Sequence, residues 1–362
     1  MNKSIFSKHI TTNLYFELIR TVVAIVVSLV FATIIIFIVS DEPLTAITTF
    51  LTGPLQSVRS VGYVIEMTIP LIFTGLAISV MFQAKQFNLA AAGSFFMGGV
   101  IASALAIKLN LPNFIHPLVC LVAAGVIGGI ICVIPAILKI KWKASELVSS
   151  LMFNYIMFFG GLFIINHYFR DPSTGIVASF EFKSTARLIN LVSGTRIHVG
   201  FLIAVGMIVF CYYLLYRSKW GYEIRMTGQN LRFSEYSGIK VSKVILYSQI
   251  IGGIIAGIGG ASEILGIYNR FTWTDMPSYG WDAIIVAILA RNNPILVPLS
   301  AFFLAYLRIG ADIMGRMTDV QSEVFAIIQG VMILLIAAES FLSSWKHRRV
   351  YRNATDKTMG EV

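Results

Sequence analysis

The chain has 362 residues, of which 57% are hydrophobic and 13% are charged, and its mean hydropathy is +0.79. Soluble globular domains carry about 25% charged residues, so this composition excludes a water-soluble protein. The 28 lysines and arginines against 18 acids give a net charge of +10. These basic residues stand in short groups between apolar runs, which argues against nucleic-acid binding and for membrane lipid as the surroundings.

Ten apolar runs follow one another along the chain. A helix of about twenty residues crosses the hydrocarbon core of a bilayer, about 30 Å, and satisfies its own backbone hydrogen bonds there. We therefore predict an all-α fold, a polytopic membrane helical bundle of about ten transmembrane spans. The predicted spans are residues 22–39, 61–82, 88–107, 115–138, 147–168, 199–215, 244–268, 282–290, 295–314 and 324–345.

The first run follows three basic residues and so resembles a secretory signal peptide. It is longer than the apolar region of such a peptide, about 7–15 residues, and no small-residue cleavage site follows it. We expect this run to be retained as the first span. One membrane domain, residues 22–345, would then lie between a segment of residues 1–21 and a tail of residues 346–362.

Lysine and arginine collect in alternate loops. Lys85, the run at 139–143, the loop at 217–243 and the tail fall on one side, whereas acids such as Asp171 dominate the other loops. Cytoplasmic loops carry the excess of basic residues, so both the N- and the C-terminus are expected in the cytoplasm.

The eighth segment is short and broken. Residues 282–290 span about 14 Å as a helix, too little to cross, and the polar sequence Arg-Asn-Asn-Pro follows at 291–294. Unwound backbone at membrane depth, as in broken transporter helices, is one interpretation. The other is a helix extended back to Ser278, with the break as a cytoplasmic turn. Spans two to five and seven to ten also form two blocks of opposite orientation, which is typical of inverted repeats.

The loop at 217–243 mixes aromatic and aliphatic residues with charges, and Gly228 and Gly238 bracket a short helical stretch. Such an element is suited to docking another protein at the membrane surface, although a solvated connector helix would have a similar sequence. The loop is similar to the pattern Gly-x-Asn-x-x-Ala-Ala-x-Tyr-x-Gly-Ile through Gly228, Asn230, Tyr236, Gly238 and Ile239, with Phe233 and Ser234 in place of the paired alanines.

Together with the segments at 87–93, 145–156 and 279–295, this loop resembles the inner-membrane permeases of bacterial ABC importers for nucleosides and simple sugars. The resemblance runs from about Gly62 to Trp345, and the segment at 279–295 is its most specific part. It implies that residues 217–243 form a coupling loop driven by a separate ATPase subunit, which would have two nucleotide-binding units. It also implies a second permease chain, a paralogue of this one, a substrate-binding lipoprotein, and a place in the bacterial cytoplasmic membrane.

One departure bears on the substrate. Ala92 and Ser94 stand where nucleoside permeases of this kind carry Glu and Gln. Purine or pyrimidine nucleosides, other ribosides, a simple sugar and a flavin-like molecule all stay open.

Polar residues within the spans are candidates for the substrate pathway because each is costly in lipid unless it is solvated or paired. Every candidate has a structural alternative: snorkelling for Glu66 and Glu263, helix capping for Glu146 and Asp282, and interhelical hydrogen bonds for the asparagines. The predicted pathway residues are Glu66, Asn88, Asn154, Asp282, Asn292 and Asn293.

The sequence contains no P-loop, no metal-ligand spacing and no nucleophile elbow. We therefore expect neither an enzyme nor a cofactor, with ATP bound on a partner chain. An ion-coupled secondary transporter of a small polar solute is the alternative, and it would need a buried carboxylate pair. The acids lie mostly near span ends, which disfavours it. A membrane scaffold or membrane enzyme is the third and weakest interpretation.

Overall fold

The computed structural model describes residues 40–192 and 194–320, together with 26–27, 29–31, 33–38, 326–327 and 329–331. Regular structure in these parts is helical, and strand-like pairing is limited to two isolated bridges, Arg170 with Ser179 and Asn190 with His198. The fold is all-α, as predicted. The predicted first and tenth spans and both termini fall largely outside the described residues.

Eleven helices can be assigned within the described residues, and those that match a predicted span agree with it to within about four residues at each end. They are α1 (Pro43–Thr52), α2 (Val58–Gln83), α3 (Ala91–Lys108), α4 (Ile115–Trp142), α5 (Glu146–Ile164), α6 (Gly200–Arg217), α7 (Lys219–Gln229), α8 (Leu231–Tyr236), α9 (Val241–Ile267), α10 (Tyr279–Leu289) and α11 (Val297–Met317).

Among the described residues, seven helices are long and apolar enough to cross a membrane: α2, α3, α4, α5 with its π-helical extension to Phe169, α6, α9 and α11. The chain is therefore a multi-pass membrane protein. Helix α10 is apolar but has only 11 residues, about 16 Å at the rise of an α-helix.

The chain forms two compact units, one of residues Met1–Gly53 with Gly310–Val362 and one of Pro54–Ile309. In the first unit, Asp319 joins the two chain segments: its carboxylate accepts hydrogen bonds from the Ser40 hydroxyl and the Asp41 amide, both at 2.7 Å. Gly310 lies against the backbone of Phe50, where a side chain would not fit.

In the second unit, helix α9 forms the centre and packs against α3, α4 and α2. Its glycines allow backbone contact, because a Cβ at Gly257 would lie 2.2 Å from the Ala124 carbonyl oxygen. Likewise, a Cβ at Gly128 would lie 2.2 Å from the Gly253 carbonyl oxygen. Gly253 and Gly257 are four positions apart, and small residues at that spacing let helices pack closely in lipid, where no hydrophobic force drives them together.

The two ends of the second unit differ in composition. One end, here called the basic end, carries Lys85, Lys139 and the loop at 217–243. The other end is covered by residues 170–192, 194–199 and 268–278, and the first and last of these segments pair through the Phe182 amide and the Asn269 carbonyl at 2.9 Å.

In the eighth segment, the helix starts earlier than residue 282 and the polar sequence at 291–294 forms a turn, which is the second of the two interpretations of the break. Helix α10 begins at Tyr279, and the chain reverses at Arg291 and Asn292, which both have positive φ. The Gln83 side chain donates to the Asn292 carbonyl at 3.0 Å, so the break is a turn at the basic end. The irregular backbone instead precedes α10. The Trp273 indole there reaches Gly99, halfway along α3, and stacks on Phe95 at 5.8 Å between ring centroids.

Candidate functional site

The segment between α2 and α3 is held by two of the predicted pathway residues. The Asn88 amide nitrogen donates to Gln249 Oε1 at 2.7 Å and to the Cys132 carbonyl at 3.2 Å. The Asn154 side chain accepts from the Gly93 amide and donates to the Leu89 carbonyl, both at 2.9 Å. These amides are used for interhelical hydrogen bonds, the structural alternative for both residues. Contact with substrate stays a prediction for them.

An ion pair between a half-buried lysine and a buried glutamate continues this network at the basic end. Lys139 Nζ donates to Glu146 Oε2 at 2.6 Å, and Gln249 Nε2 donates to Glu146 Oε1 at 2.9 Å. Helix α5 is capped by Ser145, whose hydroxyl accepts from the Val148 amide. Both Glu146 oxygens accept hydrogen bonds, so this carboxylate on α5 links α5 to α4 and to α9. Its negative charge is also favourable at the N-terminus of a helix.

A second polar cluster lies nearer the opposite end, and two of its acids are incompletely paired. Glu263 is 2% exposed; its Oε1 accepts from the Tyr279 hydroxyl at 3.0 Å, while Oε2 is buried and has no hydrogen-bond partner among the residues that the structure describes. Glu66 Oε2 is also buried and has no partner in the described part of the chain, and the two carboxylates are close enough to interact electrostatically. Arg196 exerts the opposite, attractive influence on Glu66. The structure thus brings together two acids that are nearly 200 positions apart in the sequence.

His198 borders this region and was missed by the sequence analysis. Its Nδ1 accepts from the Gly200 amide at 3.1 Å, its ring packs on Gly266, and Nε2 has no partner among the described residues. Burial lowers the pKa of this imidazole to about 4, so the ring is neutral at ordinary pH. A single histidine in a loop gives no pattern by which it could have been found.

Asp282 is buried in an ion pair. Arg308 Nη1 lies 2.6 Å from Asp282 Oδ2, and the Ser278 hydroxyl donates to the same oxygen at 3.2 Å. Arg308 was also missed, although a signal existed: an arginine within a predicted span needs a counter-charge.

The other two candidates, Asn292 and Asn293, lie in the turn after α10. Asn293 Oδ1 accepts from the Ile295 amide at 3.1 Å, whereas Asn292 Oδ1 is buried and finds no partner within the described ranges. Glu66 precedes Gln83 by 17 positions on α2, about 25 Å along the helix, so the six candidates do not form one site. They divide between the basic end and the region around Glu66 and Asp282.

The loop at 217–243, for which the family resemblance implies a coupling role, is built from α7 and α8. The Asn230 side chain caps α8 by accepting from the Phe233 amide at 3.0 Å, and Gly238 ends the helix with φ +80°. Leu231, Phe233 and Tyr236 are exposed, the last to 91%. The short helix predicted between Gly228 and Gly238 is confirmed, and it presents apolar side chains outward.

Gly228 connects this loop to the membrane helices. A Cβ at this position would lie 1.9 Å from the Gln83 carbonyl oxygen, so the end of α7 touches the end of α2 backbone to backbone. Ile239, which completes the motif, donates its amide hydrogen to the Ser234 carbonyl at 3.0 Å. The loop is thus packed against the bundle directly before the exposed helix.

The second unit is a bundle of apolar helices with polar groups inside and a short helix with exposed apolar side chains at one end. The sequence matches the family of the branched-chain amino acid transport system permease component over residues 60–337, and the chain belongs to that family. It is a permease subunit rather than an enzyme.

Three relatives cover most of the chain. It is 29% identical over 325 residues to a guanosine ABC transporter permease protein of Bacillus subtilis, covering 89% of this chain and 93% of the relative. A glucose ABC transporter permease protein of Haloferax volcanii is 28% identical, with 84% and 83% covered. A nucleoside ABC transporter permease protein of Lactococcus lactis subsp. cremoris is 26% identical, with 94% and 96% covered.

Proposed function

We propose that this permease moves nucleosides, or related ribosides and simple sugars, across the bacterial cytoplasmic membrane by alternating access. A separate ATPase subunit would drive the movement. The observation that carries the proposal is the likeness, along nearly the whole chain, to permeases named for guanosine, nucleosides and glucose.

The coupling step is assigned to α8. Its exposed Leu231, Phe233 and Tyr236 form an apolar surface suited to a groove on the ATPase. Movement of α8 would reach α2 through the backbone contact of Gly228 with Gln83, because no flexible side chain lies between them. ATP can bias transport only if the ATPase binds the inward-facing and outward-facing states with different affinity.

The rest of the assembly is proposed on the family resemblance and the charge pattern. The partners are an ATPase with two nucleotide-binding units, a paralogous permease chain and a substrate-binding lipoprotein. The basic end, with Lys85, Lys139 and the coupling loop, is assigned to the cytoplasm together with both termini.

The substrate pathway is assigned to the region of Glu66, Glu263 and Tyr279. Buried carboxylate oxygens without partners are strong acceptors for the hydroxyl groups of a ribose or another sugar. This region also offers an explanation for the departure at Ala92. Ala92 packs directly against Gly280: a Cβ added to Gly280 would lie 2.2 Å from the Cβ of Ala92. A glutamate at position 92 would therefore displace α10. The acids of α2 and α9 would supply the charge instead.

The pair of Glu66 and Glu263 also supports a second candidate, because neighbouring buried acids are what an ion-coupled secondary transporter requires. The two functions differ in their energy source. We expect radiolabelled nucleoside uptake into proteoliposomes to need the complete transporter and ATP, and to stop when the P-loop lysine of the ATPase is replaced. Uptake that continues with the inactive ATPase and follows a proton or sodium gradient would overturn the ABC mechanism.

A coupling variant refines this experiment. Tyr236→Ala should lower nucleoside-stimulated ATP hydrolysis and uptake together, since it removes the most exposed apolar side chain of α8. Tyr213→Ala is the matched control, an exposed tyrosine on the membrane helix α6. Equal losses in both variants would refute the assignment of α8.

A further inference from the structure

A cleft at the basic end lies between the start of α7 and the junction of α8 with α9. Its volume is about 600 Å³. Backbone and side chains of two separate chain segments form its walls. Its lining includes three lysines and three aromatic residues: Lys219, Lys240, Lys243, Trp220, Tyr222 and Tyr247.

The cleft is electropositive. Lys219, Lys240 and Lys243 are exposed, and their amines make no ion pair or hydrogen bond with any described residue. The one carboxylate in the lining, Glu223, already accepts a hydrogen bond from the Tyr247 hydroxyl at 2.6 Å. Three free ammonium groups around one cavity attract an anion with several acceptor oxygens.

The cleft lies beside the ends of two helices that are long and apolar enough to cross a membrane. Lys219 comes two positions after the end of α6, and Lys243 is in the first turn of α9, and both helices are membrane spans. Trp220 and Tyr222 are exposed beside it, and Trp220 packs against Tyr247 at 5.8 Å between ring centroids. Aromatic residues of this kind concentrate where the headgroups of a bilayer begin.

We propose that this cleft binds the phosphate of an anionic phospholipid headgroup through Lys219, Lys240 and Lys243. The acyl chains would extend into the bilayer along α6, most of whose surface is exposed, with Trp220 and Tyr222 at the interface. A bound lipid would join α7 to the start of α9 and so brace the coupling loop against the membrane. The proposal depends only on the cleft and its membrane level, and it stands whatever solute the permease carries.

Two other sources of negative charge must be distinguished from a phospholipid at this cleft. A free phosphate would use the same lysines but has no acyl chain, and the ATPase partner could cover the cleft with acidic side chains. The membrane level and the flanking aromatic residues favour lipid over both.

The test uses the full chain, assembled with its ATPase, in detergent micelles. Native mass spectrometry would measure bound lipid during titration with phosphatidylglycerol, with phosphatidylcholine as the uncharged comparison. We expect selective binding of phosphatidylglycerol. The variants Lys219→Gln, Lys240→Gln and Lys243→Gln should each weaken it about fivefold, the size expected for one basic residue at an anionic membrane surface.

Lys141→Gln is the matched control, since Lys141 is exposed at the same end but lies outside the cleft. Lys240→Arg should restore binding because it keeps the charge, and its gel-filtration profile reports whether the site has folded. Equal weakening by Lys141→Gln would overturn the proposal, as would competition by inorganic phosphate or glycerol 1-phosphate at concentrations similar to the lipid. Lipid that is retained by the permease alone but lost when the ATPase binds would assign the cleft to the ATPase instead.

Discussion

Replacing Gly257 by alanine tests the central crossing of α9 with α4. The added Cβ would lie 2.2 Å from the Ala124 carbonyl oxygen, whereas a carbon–oxygen contact normally needs about 3.3 Å or more. The helices must therefore separate by about 1 Å. Overpacking of this kind typically costs about 1–3 kcal/mol, which exceeds or cancels the gain of about 1 kcal/mol from the better helix propensity of alanine.

Gly160→Ala provides the matched control. Gly160 lies in helix α5 and has nothing within 4 Å of the place where a Cβ would stand. Both variants receive the same propensity gain, so their difference isolates the steric cost of about 1–3 kcal/mol. Thermal unfolding of the detergent-solubilised permease, followed by tryptophan fluorescence, should place Gly257→Ala several degrees below Gly160→Ala. If the two variants melt at the same temperature, the close helix crossing is wrong.

Three further predictions follow from single contacts. Asn230→Ala removes the cap of α8, at a cost of about 1 kcal/mol, and should reduce nucleoside-stimulated ATP hydrolysis while Asn230→Asp retains it; an unchanged rate for the alanine variant would contradict the capping role. Burial lowers the pKa of His198 to about 4, so on acidification the unfolded chain takes up a proton before the folded chain does. The stability contributed by the neutral ring is therefore complete above about pH 6.5, and up to about 3 kcal/mol of the free energy of unfolding is lost as the pH drops to 4. His198→Gln should flatten the melting temperature over that pH range relative to the original protein, and an equal acid loss in both would refute the assignment. Tyr279→Phe removes the hydroxyl that donates to Glu263 and should raise the apparent KM for nucleoside uptake about fivefold. Basal ATP hydrolysis is the internal control. An unchanged KM would show that this region does not contact the substrate.

The membrane helices were predictable because their signal is local. Each span must bury its own backbone hydrogen bonds and its own apolar side chains, so about twenty consecutive residues carry the information. The same is true of α8, whose cap at Asn230 and end at Gly238 are set by neighbours in the sequence. The number of spans, about ten, stays a prediction, because the first and tenth lie largely outside the described residues.

The partners of polar groups could not be predicted in the same way. Glu66 and Glu263 interact electrostatically only because α2 and α9 are neighbours. Arg308 of α11 forms an ion pair with Asp282 of α10, the helix on the other side of the connecting turn. Asn88 and Asn154 were candidates for substrate contact, yet the structure uses their amides to hold the segment before α3. Spacing along a chain does not reveal which helices become adjacent.

The amino-acid sequence alone determined the helical membrane class, the position of the short helix between Gly228 and Gly238 and the resemblance to importer permeases, since each depends on hydropathy or on contiguous motifs. The tertiary structure alone decided that the break after α10 is a turn beside Gln83, that two buried acids share one region, and that three lysines surround a cleft. The physical reason is that a helix in lipid satisfies its backbone hydrogen bonds within its own segment, so local sequence decides whether it forms. The pairing of charges depends instead on which helices become neighbours, and that is set by contacts between small residues of distant segments.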